Sequence, residues 1–199
     1  LDKPLHVQFG KWIVSCVKGD FGVSFSAKRP VKDILKETIP NTVQLSLAAL
    51  LLELILGIAI GTLAAVRQYS KFDNFATVTT LTIYSTPEFW LGLMLILVFS
   101  GILGWLPASG MIDIVRHADM NFFERVIDCL RHLLLPVFCL GVGSAAATAR
   151  YMRGSLLEVI RQDYIRTARA KGLSERKVVF KHGLRSALIP IVTLTGLSL

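Results

Sequence analysis

An all-α, polytopic transmembrane helical bundle is the fold class this sequence predicts, on three observations. Charged residues make up 18% of the 199 residues, against about 25% in a soluble domain, and mean hydropathy is +0.57. Two long runs, Thr42–Val66 and Phe75–Leu106, carry one charge each, Glu53 and Glu88. The net charge of +8 is also unevenly spread: residues 150–185 hold ten Lys/Arg and three Asp/Glu, whereas residues 106–132 hold three and four. That asymmetry is how cytoplasmic loops of membrane proteins are marked.

The elements follow in order. Residues 1–40 form an arm of mixed charge. A bilayer core of about 30 Å needs about 20 apolar residues in a helix, so spans are expected at 42–66, 75–104, 133–152 and from 187 to 199 and onward. At about 1.5 Å per residue, the second apolar run is too long for one straight crossing, so it must tilt, kink near Thr86-Pro87, or extend along the interface. Arg67 and Lys71 in the turn RQYSKFD lie two crossings before the basic loop 153–186. Both loops therefore share a side, which the positive-inside rule makes cytoplasmic. The arm 1–40 and residues 106–132 are then external. A chain that starts with Leu1, starts outside and ends in an apolar run is expected to be a fragment lacking a first span and its C-terminal region.

Several functions are disfavoured. The positive charge sits in one membrane-flanking loop, which argues against nucleic acid. Cys16, Cys129 and Cys139 show no metal or disulfide spacing, and the four histidines are scattered. Phosphate-binding loops and hydrolase or zinc-protease motifs do not occur, so no enzymatic chemistry, cofactor or metal is expected in this chain. Gly57 and Gly61 form GxxxG, and Gly141–Ala149 is a stripe of small residues, as close helix packing requires. Glu53 and Glu88 are candidate pathway-lining residues, because an ionisable group at span depth costs roughly 2.5–3.5 kcal/mol on insertion scales. Interhelical hydrogen bonds are the plainer explanation for them.

The stretch DYIRTARAKGLSERKVVFKH (Asp163–His182) is the most informative. Leu156, Leu157, Ile160, Tyr164, Ile165 and Ala168 recur at helical spacing. Gly172 fits a left-handed helix stop, with Arg169 and Lys171 placed for the C-terminal dipole, and Ser174 can cap a new helix. The expected result is a helix–glycine–helix elbow on the cytoplasmic face. Contact with anionic membrane lipid explains its charge, but a docking surface for a cytoplasmic partner also explains the apolar face and the elbow.

These residues resemble the EAA loop of ABC-importer permeases, in the form carried by the dipeptide/oligopeptide/nickel branch. GDFGVSF (Gly19–Phe25), RPV (Arg29–Val31), TPEFWLGLMLILVFS (Thr86–Ser100), LGWLPASG (Leu103–Gly110) and RHLLLPVFCLG (Arg131–Gly141) resemble the same branch in the same order. The resemblance implies a multi-pass permease of the bacterial inner membrane, with residues 1–199 as one transmembrane permease domain. It would form the translocation path for di/oligopeptides or, alternatively, nickel chelates or another small solute. Its implied partners are a second homologous permease subunit, two cytoplasmic ATP-binding subunits that hydrolyse the ATP, and an external substrate-binding protein. The loop 163–190 would couple to the ATPase through Tyr164, Arg166, Thr167, Ala168, Arg169, Gly172 and Leu173, with Tyr164, Ile165, Ala168 and Leu173 packing into its groove. Arg166, Thr167 and Ala168 stand where other importers have Glu-Ala-Ala. A proton-driven carrier using Glu53 and Glu88, or a lipid-binding scaffold, are the competing readings from other classes.

Overall fold

A computed structural model describes residues 4–198, which form helices joined by loops. The chain divides into two compact units, Leu1–Leu45 and Ser46–Leu199.

In the first unit, α1 (Leu5–Val17) leads into a loop closed by an isolated bridge between Val23 and Pro30. Gly22 turns that loop at φ +73°, and its N–H is held by the Asp20 carboxylate at 3.0 Å. The next helix, α2 (Val31–Val66), starts well before the span expected at 42. Pro40 lies inside it without ending it. The helix is about 54 Å long at about 1.5 Å per residue, more than one bilayer core needs.

In the second unit, α2 ends at Val66 and Ser70 caps α3 (Lys71–Ser85), its side chain accepting the Asp73 N–H at 3.2 Å. The chain then turns by 99° at Thr86-Pro87. Proline disfavours helix in the residue before it, and Thr86 accordingly adopts an extended conformation. After the turn, α4 (Glu88–Leu95) runs into a π-helical segment, Ile96–Ile102. A loop follows, and then α5 (Phe122–Ile160), opened by a capping box between Asn121 and Glu124. Helix α6 (Asp163–Ala170), the short α7 (Glu175–Lys177), a π turn (Val178–Gly183) and α8 (Leu184–Ser198) complete the chain.

The packing inverts the soluble pattern. Buried positions of α2, α3 and α5 are mostly small, including Gly57, Gly61, Ala64, Ala65, Ala76, Ala145, Ala146 and Ala149. Leu51, Ile55, Phe75, Val78, Leu134 and Phe138 face outward. Small residues let helices approach closely where lipid supplies no hydrophobic drive. Thus a Cβ on Gly57 would lie 2.6 Å from the Thr148 side chain, and one on Gly61 2.5 Å from the Ala149 carbonyl oxygen. Gly141 meets Ala49 and Leu52 of α2 in the same way.

Three helices, Val31–Val66, Phe122–Ile160 and Glu175–Leu197, are long and apolar enough to cross a membrane, and the bent α3–α4 pair makes a fourth if it is one span. The turn 67–70 and the loop after α5 lie at the same end of this unit, because Arg153 of α5 grips Asp73 of α3.

Candidate functional site

Helix α6 and the start of α7 form an elbow around Gly172, at φ +76°. The Gly172 N–H donates to the Arg169 carbonyl at 2.9 Å and the Leu173 N–H to the Ala168 carbonyl at 3.4 Å. That pair of bonds is a Schellman stop, and Leu173 adds its usual apolar contact back to Ala168. Arg169 then reaches across the bend to Glu175 with two bonds, 3.1 and 2.7 Å. This pairing raises the Arg169 pKa further and fixes the angle between the two helices. Ser174 occupies the N-cap position of α7, but its side chain makes no cap bond.

The elbow's apolar face points the other way from expectation. Ile165 is wholly buried and Ala168 nearly so, in a cluster with Val178 and flanked by Val159 and Leu173 of the same chain. Neither is free to enter a partner's groove. Of the apolar set, Tyr164 alone keeps a substantial exposed surface, at 46%. The outward face is polar: Arg166 bonds Asp163 at 3.3 Å, and the Thr167 hydroxyl donates to the Asp163 carbonyl at 3.0 Å. Behind the elbow, Met152 and Leu156 of α5, Val179 of the π turn, and Ala187 and Ile191 of α8 form one buried cluster with Ala65 of α2.

Glu53 and Glu88 stand in separate cavities. Glu53 Oε1 accepts a hydrogen bond from the Thr148 hydroxyl at 2.7 Å, linking α2 to α5. It lines a cleft of about 260 Å³ with Ser144, Thr148, Tyr151 and Thr195. Among the described residues no Lys, Arg or His forms an ion pair with it. Glu88 opens α4 just after the 99° turn and lines a larger cavity of about 510 Å³, with Phe89, Gly92, Pro107, His132 and Cys139. Glu53 therefore makes the interhelical bond of its plainer role and also borders an open cleft.

Two clusters escaped the sequence. The Asp73–Arg153 fork joins positions 80 residues apart, with bonds of 2.6 and 2.8 Å. On α5, the Asp128 carboxylate accepts the N–H of Asp113 in the preceding loop at 3.0 Å and sits 2.7 Å from Nδ1 of the loop's His117 and 3.2 Å from Nδ1 of His132, one turn along α5. His117 and the Asp113 N–H thus pin that loop to α5, while His132 braces Asp128 from within the helix.

Residues 57–199 match the family described as binding-protein-dependent transport system inner membrane component. Over 99% of its length the chain is 44% identical to an oligopeptide transport system permease protein, AppB, of Bacillus subtilis, and covers 61% of that protein. It is 41% identical to the di/tripeptide transport system permease protein DppB of Pseudomonas aeruginosa, covering 62% of it. It is 40% identical to the glutathione transport system permease protein GsiC of Salmonella paratyphi A, covering 59%. The chain thus spans about three fifths of the length of the curated relatives it matches. With its small-residue helix contacts, outward apolar faces and polar elbow, this multi-pass membrane chain belongs to the family of inner membrane components of binding-protein-dependent transport systems.

Proposed function

We propose that this chain is the membrane-spanning permease subunit of an ATP-driven importer of di- or oligopeptides, and that the elbow at Gly172 is where a cytoplasmic ATPase subunit docks. The family match over residues 57–199 carries this reading. The peptide assignment is supported by relatives named for oligopeptides, di/tripeptides and glutathione, itself a tripeptide. Nickel chelates are the alternative solute, but the described residues contain no group of three His, Cys, Asp or Glu able to hold a metal. The other subunits in this reading are a second homologous permease, two ATPase subunits that supply the energy, and an external binding protein that selects the solute. The cell inner membrane is its location.

The mechanism is two-state rigid-body coupling. ATP drives the two ATPase subunits together, and the elbow converts that movement into rotation of helices packed into one body. Arg166, Thr167 and Tyr164 present the docking face, Ala168 and Leu173 anchor it to the chain's own core, and Gly172 with Arg169–Glu175 sets its angle.

Reconstitution with the three kinds of partner subunit in proteoliposomes tests this reading. Uptake of a labelled peptide should require ATP inside and the binding protein outside. Uptake that persists without the ATPase and stops on collapse of the proton gradient would favour the carrier reading instead. In the same system, Glu53→Leu, which removes the acceptor of the Thr148 hydroxyl, should lower uptake by about two- to twelvefold, the loss of one polar contact of roughly 0.5–1.5 kcal/mol, with ATP hydrolysis intact. Unchanged uptake would remove Glu53 from the path.

A further inference from the structure

We infer that Asp73 and Arg153 are positioning residues that carry movement of the elbow into α3; this rests on the elbow being the ATPase-docking surface. The geometry is that of a fork. Arg153 Nε donates to Asp73 Oδ1 at 2.6 Å and Nη2 to Oδ2 at 2.8 Å, so both the distance and the angle between α5 and α3 are fixed. The Asp73 side chain is 2% exposed and that of Arg153 29%. Asp73 Oδ2 also accepts the Tyr69 N–H at 2.9 Å. Tyr69 sits at φ +64°, a conformation that is uncommon for a bulky side chain and held only by its surroundings. One carboxylate therefore holds the α2–α3 turn closed and ties it to α5.

The fork matters because α3 contributes no residue to the apolar cluster behind the elbow. The end of α5, the π turn, α8 and the end of α2 share the cluster around Met152 and Leu156. Helix α2 is further keyed to α5 by Gly57 and Gly61. Helix α3 instead meets α5 along small side chains, Ala76 and Thr80 beside Ala145 and Ala146 at a cleft of about 140 Å³, and towards its far end through Tyr84, whose ring centre lies 4.4 Å from the Arg150 guanidinium of α5. Small side chains and a ring face hold the helices together with little directional constraint, whereas a bidentate ion pair with a buried carboxylate fixes both distance and angle.

At its other end α3 meets the 99° turn at Thr86-Pro87. Beyond it, α4 carries Glu88, Phe89 and Gly92 into the 510 Å³ cavity. A helix clamped at one end and jointed at the other is a lever. When the elbow moves α5, the fork makes α3 follow, and the angle at Thr86-Pro87 absorbs the difference. The cavity beside Glu88 then changes shape in step with the ATPase.

The test uses the complete transporter in proteoliposomes and reads solute imported per ATP hydrolysed, which a merely structural pair would not change. The variants are Asp73→Asn, Arg153→Lys, and the double Asp73→Asn/Arg153→Gln, which leaves no unpaired buried charge. All three are expected to assemble and to hydrolyse ATP at near wild-type rates while solute per ATP falls about tenfold, as when a coupling element is weakened. An unchanged ratio in assembled variants overturns the inference. So does a parallel loss of uptake and hydrolysis, which marks the pair as structural. If wild type itself shows no ATP-driven uptake, the importer reading has failed rather than the fork. Where a variant does not assemble, spin labels at Lys71→Cys and Arg161→Cys, both exposed positions, decide the matter in the intact fork. Their separation should be the same without nucleotide and with ATP trapped. A separation that changes with nucleotide overturns the inference.

Discussion

In the proposed importer, replacing Gly172 by valine is expected to leave ATP hydrolysis running while peptide uptake collapses. A Cβ at Gly172 meets nothing within 4 Å, so crowding is not the cause. The cause is the backbone: φ is +76°, and a β-branched residue held there costs on the order of 1–3 kcal/mol. Relief comes from rotating the backbone, which breaks the two Schellman bonds and swings Arg169 away from Glu175. The population of correctly angled elbows falls by the corresponding factor, about 5- to 150-fold, and uptake per ATP should fall with it. Gly172→Asn, which tolerates this region better, should recover much of the loss. Wild-type uptake by an assembled Gly172→Val transporter would show that the elbow angle is irrelevant to transport.

Gly61→Leu should destabilise the folded permease rather than uncouple it. The first added carbon would lie 2.5 Å from the Ala149 carbonyl oxygen and 2.7 Å from the Met152 Cβ. These are backbone and near-backbone atoms that cannot rotate away, so α2 must back off from α5 along its length. Overpacking of this kind costs about 1–3 kcal/mol before the lost contacts at Gly57 and Ala65 are counted. The amount of permease recovered from the membrane and its thermal unfolding midpoint should both drop. Gly143→Ala and Gly154→Ala are the controls, since nothing lies within 4 Å of either Cβ, and both should behave as wild type.

Much of this was legible in the sequence, and the exceptions have physical causes. The family showed in ordered motifs along the chain, and the small-residue stripes announced close helix packing, which the structure places between α2 and α5. The elbow followed from helical spacing and one glycine. The direction of its apolar face did not, because Ile165 and Ala168 have the same spacing whether they face a partner or their own chain. Helix α2 begins at Val31 rather than at the expected span because Pro40 removes one donor without ending the helix. The Asp73–Arg153 fork was invisible, since contacts between residues 80 positions apart leave no periodic trace. Glu53 was singled out by its cost in a membrane, and the Thr148 hydroxyl at 2.7 Å accounts for part of that cost being met.

The central claim is that the polar outer face of α6 touches the ATPase. A cysteine at Arg166, on a background with Cys16, Cys129 and Cys139 replaced, tests it in the assembled transporter. The account predicts that a short bifunctional reagent joins this position to the ATPase subunit, and that the yield changes when ATP is trapped. Full ATP-driven uptake with no cross-link from Arg166 or from Thr167 would contradict it.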